Sequence, residues 1–360
     1  MDLQSALRYA KVKKHVVMMM FVLAELVSVG YGQDQKAANA PFTLTWSEGK
    51  CLGCMNAAWL GEIQFVSRSE VWGVGFKDVL NEVNTIVVHS TDAGRTWREV
   101  PQSHQYTDPD GLLAFSFPDA ARGWIAPWGN RGAEPEMIST RDGGQHWQSL
   151  SQQFLQRMQF IDDTRGYGTV ADDFFRTDDG GRSWVETKIS GIGYIERMVF
   201  LTTDNGWIAG IHGKDFLVFR TVNGGRDWEE SRTTPPQPPG RISDLFFLDQ
   251  QRGWLITLNH SDEGAYLYST VDGGEHWTPD PDLSFQGKGT EGNVVRFTSR
   301  ERGFVFLMEG GQSKLVYTMD GGIHWRKQAL PRFVYHCQVF AGDLMCSAVP
   351  GFRLLTLHPK

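Results

Sequence analysis

Residues 243–277 read SDLFFLDQQRGWLITLNHSDEGAYLYSTVDGGEHW, a stretch that compresses one structural unit into 35 letters. Phe247 and Trp254 are seven residues apart, and Gly253 stands before the second. An alternating segment, Leu255 to Leu258, follows, and the unit closes on Thr270-Val-Asp272-Gly-Gly274-Glu-His-Trp277. The closing phrase has a Ser or Thr, an Asp or Asn two residues later, Gly, and a Trp seven residues after the start. It occurs six times, at Ser90 to Trp97, Thr140 to Trp147, Thr177 to Trp184, Thr221 to Trp228, Thr270 to Trp277 and Thr318 to Trp325. Successive Trp residues lie 37 to 50 positions apart. That is the length of one four-stranded propeller blade and too long for a leucine-rich or ankyrin unit.

Each phrase reads as a turn. The side-chain oxygens of Asp92, Asp142, Asp179, Asn223, Asp272 and Asp320 are placed to accept the backbone N–H two residues on, and the following Gly supplies a positive φ. Ala93 replaces the first Gly in the opening copy, so that slot is expected not to require the left-handed region. The second Gly is present in every copy. The closing residues Trp97, Trp147, Trp184, Trp228, Trp277 and Trp325 are expected to bury their rings between layers, at roughly 1.5–3 kcal/mol each.

Upstream of each turn lies an aromatic pair with a constant gap of seven: Phe65 with Trp72, Phe117 with Trp124, Phe160 with Tyr167, Phe200 with Trp207, Phe247 with Trp254 and Phe297 with Phe304. Gly precedes the second aromatic in the last five copies, and Val71 replaces it in the first. This predicts strand A, a tight turn, and strand B. The phrases resemble the Asp-box, or bacterial neuraminidase repeat. Paired with the upstream Gly-aromatic element, they are similar to the photosystem II stability/assembly factor family, over about residues 62 to 325. The resemblance implies a seven-bladed propeller that holds a client protein on an arginine-rich face.

Residues 1–32 form a separate unit. Lys11, Lys13 and Lys14 precede the apolar run Val16 to Ala24, and Gly30-Tyr31-Gly32 gives a small-x-small cleavage pattern, which predicts a secretory signal. The run is short for a membrane span and Glu25 interrupts it, so any membrane attachment is confined to an uncleaved signal anchor. Residues 33–40 read as a flexible leader, and residues 41–360 as a single propeller domain. Losing residues 1–32 removes four basic and two acidic side chains and takes the net charge from −7 to −9. An acidic chain without basic runs argues against a nucleic-acid partner. The expected location is the periplasm or the cell exterior, where cysteines oxidise. Cys337 and Cys346 flank a hairpin turning at Ala341-Gly342 and fall opposite each other, within disulfide range. Cys51 and Cys54 form a C-x-x-C, either a redox centre or a structural disulfide, the latter favoured because no βαβ pattern surrounds it, and three pairings of the four cysteines stay formally open.

Six units leave two ends. The tail offers strands at Phe333 to Phe340, Leu344 to Val349 and Phe352 to Leu357, and the leader offers Phe42 to Trp46. Together they make a seventh blade closed by strands from both termini, which leaves no open edge. A six-bladed ring with a loose tail is the alternative. In an up-and-down blade the A–B and C–D turns share one rim. Loop length varies only on the other, which is therefore the candidate binding face. It carries Trp128, Arg131, His212, Lys214, His260 and Lys288. The Pro-rich link Thr233 to Gly240 on the same face reads as a stiff crossing. Arg157 and Arg197 share a slot three residues before Phe160 and Phe200, with Arg241 and Arg296 near the same rim. One reading is a cationic cluster at the channel mouth that receives carboxylates; the other is that each Arg pairs with an acid of a neighbouring blade.

No catalytic constellation is legible. There is no His-Glu-x-x-His metal pattern, no G-x-S-x-G elbow and no dinucleotide fingerprint. No metal or cofactor is expected. Adjacent acids such as Asp172-Asp173 and Glu229-Glu230 would matter to a glycosidase only through their separation in space. Sialidases share the Asp boxes, but their arginine triad begins on the first strand with an Arg-Ile-Pro phrase. Here Arg68 is followed by Ser69 and Glu70. The sequence therefore predicts an exported, monomeric, non-catalytic propeller that binds a protein client as an assembly scaffold. A glycan-binding or sialidase-like propeller is the alternative.

Overall fold

The computed structural model describes residues 40–52, 59–79, 82–100, 113–127, 136–232, 240–259, 264–286, 294–309, 311–349 and 351–359. Among these residues every regular element is a β-strand, and no helix is long and apolar enough to cross a membrane. The strands fall into seven antiparallel sets of four. Blade 1 is typical, with strands Trp59–Phe65, Val71–Val79, Glu82–Ser90 and Thr96–Glu99 in that order. Blades 2 to 6 repeat this meander and begin with Leu113–Ser116, Arg157–Phe160, Tyr194–Phe200, Gly240–Phe247 and Val294–Phe297.

Blade 7 is assembled from both ends of the described chain. Its strands Phe333–Phe340, Asp343–Val349 and Phe352–Pro359 are completed by Phe42–Leu52, which pairs antiparallel with the third, Phe42 opposite Pro359. The far end of Phe42–Leu52 then pairs in parallel with blade 1. The first hairpin of blade 7 turns at Ala341 (φ 51°) and Gly342 (φ 85°), both left-handed as a two-residue hairpin requires. Cys337 and Cys346 are opposite each other across it, 4.1 Å apart at Cα, and are disulfide-bonded. Cys51 is also disulfide-bonded; Cys54 lies outside the described residues, as do residues 1–39, while Ala40, read as the end of the flexible leader, is buried in the core.

The core is divided among the joints between blades. Seven buried clusters each draw on two neighbours, from blades 1 and 2 through to blades 7 and 1, so the ring closes through packing as well as pairing. At five joints the strand-B aromatic stacks on the strand-A Phe of the next blade: Trp72 on Phe117, Trp124 on Phe160, Tyr167 on Phe200, Trp207 on Phe247 and Trp254 on Phe297, with centroids 3.6–4.0 Å apart. These rings, more than the box Trp residues, fill the space between layers. Trp97 and Trp277 are buried, but Trp147, Trp184, Trp228 and Trp325 are half-buried. In blades 2 to 6 the box Trp meets the Phe of its own blade edge-on. The Gly before each strand-B aromatic has a steric cause: a Cβ on Gly123 would fall 2.0 Å from the Phe117 ring, and one on Gly303 2.2 Å from Phe297.

Candidate functional site on the inner strands

The Asp-box rim is built of turns whose bonds differ from the expected pattern. The hydroxyl of Thr270 accepts the N–H of Asp272 (3.4 Å) and of Gly274 (2.9 Å), and donates to Asp272 Oδ1 (2.8 Å). Asp272 Oδ1 accepts the N–H of His276, four residues on, at 3.0 Å, so the carboxylate closes a longer loop than the two-residue Asx turn expected. The other copies repeat this scheme, with Asn223 in place of Asp. Ala93 is left-handed at φ 58°, as are the glycines in its slot, so the expectation that the slot tolerates another conformation is wrong. The hydroxyl and carboxylate bonds fix the backbone whichever residue sits there.

His146, His276 and His324 are exposed on this rim. Each ring Nδ1 bonds its box carboxylate at 2.6–2.8 Å, the role that the hydroxyls of Thr96 and Ser183 fill elsewhere. Hydrogen bonds from the Thr96 side chain and from the N–H groups of His146 and His324 hold Asp92, Asp142 and Asp320 down to about 2. The ligand atoms of Asp272, Glu275 and His276 come within 4.8 Å of one another, but Asp272 bonds His276 and Glu275 bonds Arg232, so the group belongs to the turn.

Toward the axis, side chains of each innermost strand grip the backbone of the next. Four joints use neutral groups. Gln338 Oε1 accepts the N–H of Phe65 (2.5 Å), Gln64 Oε1 that of Phe117 (2.8 Å), Ser116 Oγ that of Phe160 (2.8 Å) and Gln159 Oε1 that of Phe200 (2.9 Å). The other three joints use charged groups. Glu196 accepts the N–H of Ile242, and Arg197 donates to the Ser243 carbonyl. Asp244 accepts the N–H of Val295 (2.9 Å) and pairs with Arg296, whose Nε donates to the Cys337 carbonyl at 2.7 Å.

Of the four arginines singled out from sequence, Arg296 is a latch: its side chain is 12% exposed, and Nε and Nη1 are committed to Asp244, Val295 and Cys337. The other three surround Glu196, Arg157 from blade 3 and Arg197 and Arg241 from the two sides of the joint between blades 4 and 5. Arg157 Nη1 donates to the Ile195 carbonyl (3.4 Å), and Arg197 Nη1 to the Glu196 carbonyl (2.6 Å). Arg241, exposed, immediately precedes the Ile242 whose N–H the Glu196 carboxylate accepts. Antiparallel order puts Arg157 and Arg241 at the starts of their strands, on the rim away from the Asp boxes. Glu196 and Asp244 escaped the sequence reading because each is a single acid in an apolar run. Register shifts between Ile195 and Arg197 and between Ile242 and Asp244 mark bulges, which re-aim side chains. Burial pushes the Glu196 carboxyl up, against the Ile242 N–H and the fields of Arg197, Arg157 and Arg241.

On the outer part of the same rim, His212 and Lys214 are exposed at the two-residue turn between Gly206–His212 and Asp215–Thr221 in blade 4. Trp128, Arg131, His260 and Lys288 lie outside the described residues.

Residues 150–282 match the family model of the photosynthesis system II assembly factor YCF48. That segment is blades 3 to 5 and contains Arg157, Glu196, Arg197 and Arg241. The whole fold is similar to a solved structure of YCF48 bound to a D1 peptide, at 17% identity and TM-score 0.61, covering 89% of this chain and 96% of that one. It is also similar to YCF48 from Cyanidioschyzon merolae, at 18% identity and TM-score 0.63, covering 87% and 99%. A GH74 xyloglucanase from Xanthomonas campestris shares the fold at 14% identity and TM-score 0.59, with 85% of this chain matching 52% of that one. Among curated proteins none matches.

Proposed function

We propose that this chain is an exported, non-catalytic, monomeric scaffold that binds an acidic or carboxylate-ended segment of a client protein, of the kind met in membrane-protein assembly. The observation that carries the reading is a coincidence of two independent facts. The segment matching the assembly-factor family is the one that gathers Arg157, Arg197 and Arg241 around Glu196. Guanidinium groups present forked donors that suit carboxylates, and three positive charges on the innermost strands of three successive blades attract an anionic segment. His212 and Lys214 extend the positive and polar surface outward along blade 4. The signal-like residues 1–32 support export, and the YCF48 structure that holds a D1 peptide supports a client drawn from a membrane protein.

Titration of a short glutamate-rich peptide with a free C-terminal carboxylate, against its glutamine counterpart, tests the reading. The acidic peptide is expected to bind, to weaken with salt, and to weaken further in Arg241→Gln. Equal binding of both peptides, or turnover of a sugar conjugate abolished by replacing one carboxylate, would overturn it.

A further inference from the structure

We propose that Glu196 is a specificity-determining residue of this joint: its buried carboxylate balances Arg157, Arg197 and Arg241 while the site is empty, and binding an acidic segment there delivers a proton from solvent to Glu196. The inference rests on the reading of the joint given above.

The geometry is compact. Residues 195–197 of blade 4 and 241–243 of blade 5 are tied by side chains in both directions, Glu196 to the Ile242 N–H and Arg197 to the Ser243 carbonyl. Arg157 reaches into the same knot from blade 3 through the Ile195 carbonyl. Glu196 is 6% exposed, so little water screens its charge from the three arginines around it. The groups that act on it are Arg197 from its own strand, Arg157 from blade 3, and Arg241 with the Ile242 N–H from blade 5. Farther round the axis, His336 lies within the fields of Glu62, Arg296, Asp244 and Arg197. Three cations over one carboxylate leave a positive excess that draws an anion, but an arriving carboxylate competes with Glu196 for the same guanidinium groups. Two carboxylates sharing one site do not both stay ionised at little cost.

The sign follows from linkage. An anion nearby raises the Glu196 pKa further, so the complex holds more protons than the free protein. Affinity then climbs as pH falls through the interval between the two values, by at most about ten-fold per pH unit for one proton. It levels off on either side. A purely structural Glu196 would give no such slope.

Proton uptake is measured directly by isothermal titration of the full chain with the glutamate-rich peptide, in buffers of different ionisation enthalpy. The wild-type chain is expected to take up a fraction of one proton at pH values above the ordinary carboxyl range. Glu196→Gln keeps an acceptor for the Ile242 N–H. It is expected to abolish the uptake, flatten the pH profile, and bind at least as tightly at the alkaline end. No uptake by the wild-type chain sinks the proposal without recourse to a variant, and undiminished uptake in Glu196→Gln sinks it equally. The two readings fail separately. Arg241→Gln binding as well as wild type removes the site itself, whereas weakened binding by Arg241→Gln without proton uptake removes only the role of Glu196.

Discussion

The ring is held shut by two kinds of seam. From blade 7 round to blade 4 the innermost strands are joined by Gln338, Gln64, Ser116 and Gln159, neutral groups that each accept one backbone N–H, Gln338 and Gln159 also donating to the carbonyl of the same residue. From blade 4 round to blade 7 the same task falls to Glu196, Arg197, Asp244 and Arg296. A neutral latch closes a joint and leaves nothing over. A charged latch closes it while creating a field, and the side of the ring that carries charged latches also carries Arg241, with Arg157 reaching toward it from the last neutral joint. The Asp-box turns recur in blades 1 to 6, whereas the charged latches are confined to the joints from blade 4 round to blade 7.

The widest separation between the arcs is expected from removing one latch on each side. Asp244→Ala orphans the Val295 N–H and leaves Arg296, only 12% exposed, without its carboxylate. Removing one partner of a buried ion pair costs about 3–5 kcal/mol. Gln159→Ala leaves two neutral backbone groups of Phe200 without partners, at a cost of about 1–3 kcal/mol. Denaturant midpoints of the two variants check the order; equal losses would mean that the charged arc holds no better-buried network than the neutral one.

The charged arc ends on Cys337, whose carbonyl receives Arg296. The Cys337–Cys346 bond closes a loop with a sequence separation of 9 in the one blade assembled from both chain ends. Replacing both cysteines by Ser is expected to cost about 2–3 kcal/mol, measured by thermal unfolding with and without reductant. Loss of reductant sensitivity in the double variant ties the effect to this bond, apart from the one at Cys51.

Opposite pH dependences sharpen the contrast. Burial pushes the His336 imidazole down, and its Nδ1 faces the Ile63 N–H at 3.5 Å across the joint of blades 7 and 1. The unfolded chain binds the extra proton more readily, so this joint is whole above about pH 6.5 and loses stability as pH falls through the lowered value. Glu196 is raised, so its joint is whole below the ordinary carboxyl range and loses stability as pH rises through the raised value. His336→Asn is expected to flatten the acid side of a stability–pH curve and Glu196→Gln the other side. A variant that moves the wrong limb breaks the assignment.

These seams also mark where sequence reading stopped. The ring was legible because its units repeat letters: the box hydroxyl and carboxylate bond fixed backbone positions, and Gly166 or Gly206 must vacate space for Phe160 or Phe200, so identity is forced at each copy. A seam acceptor has only to meet one N–H. Gln64, Ser116, Gln159 and Arg296 fill one slot, the residue before the repeated Phe, but Val199 and Phe246 occupy it in blades 4 and 5, so no single letter marks it. The bulges that turn Glu196 and Asp244 into the joints leave no mark in hydrophobic periodicity. Arg157 and Arg197 were found by slot, but whether an arginine latches or stays available depends on its neighbour: Arg296 has Asp244, and Arg241 has open solvent.

The smallest expected effect lies in the neutral arc, where the repeat is least regular. Blade 1 has Val71 where later blades have Gly, and Ala93 where their boxes have Gly. Ala93 holds φ 58°, and its N–H is used by the Ser69 carbonyl at 2.7 Å, so the turn cannot relax away from the left-handed region without losing that bond and those of Ser90 and Asp92 beside it. A Cβ in that region costs about 1 kcal/mol, partly offset by the greater freedom glycine has in the unfolded chain. Ala93→Gly is therefore expected to stabilise the protein by about 0.5–1 kcal/mol, seen as a higher denaturant midpoint with an unchanged slope. The converse change at a regular box, Gly273→Ala, meets the same φ and also places a Cβ 2.7 Å from the Gln250 carbonyl, so it should destabilise by more than Ala93→Gly stabilises. If both substitutions prove neutral, the box backbone is set less firmly by its hydroxyl and carboxylate bonds than the geometry of six copies implies, and the rim opposite the arginines loses its claim to be the rigid one.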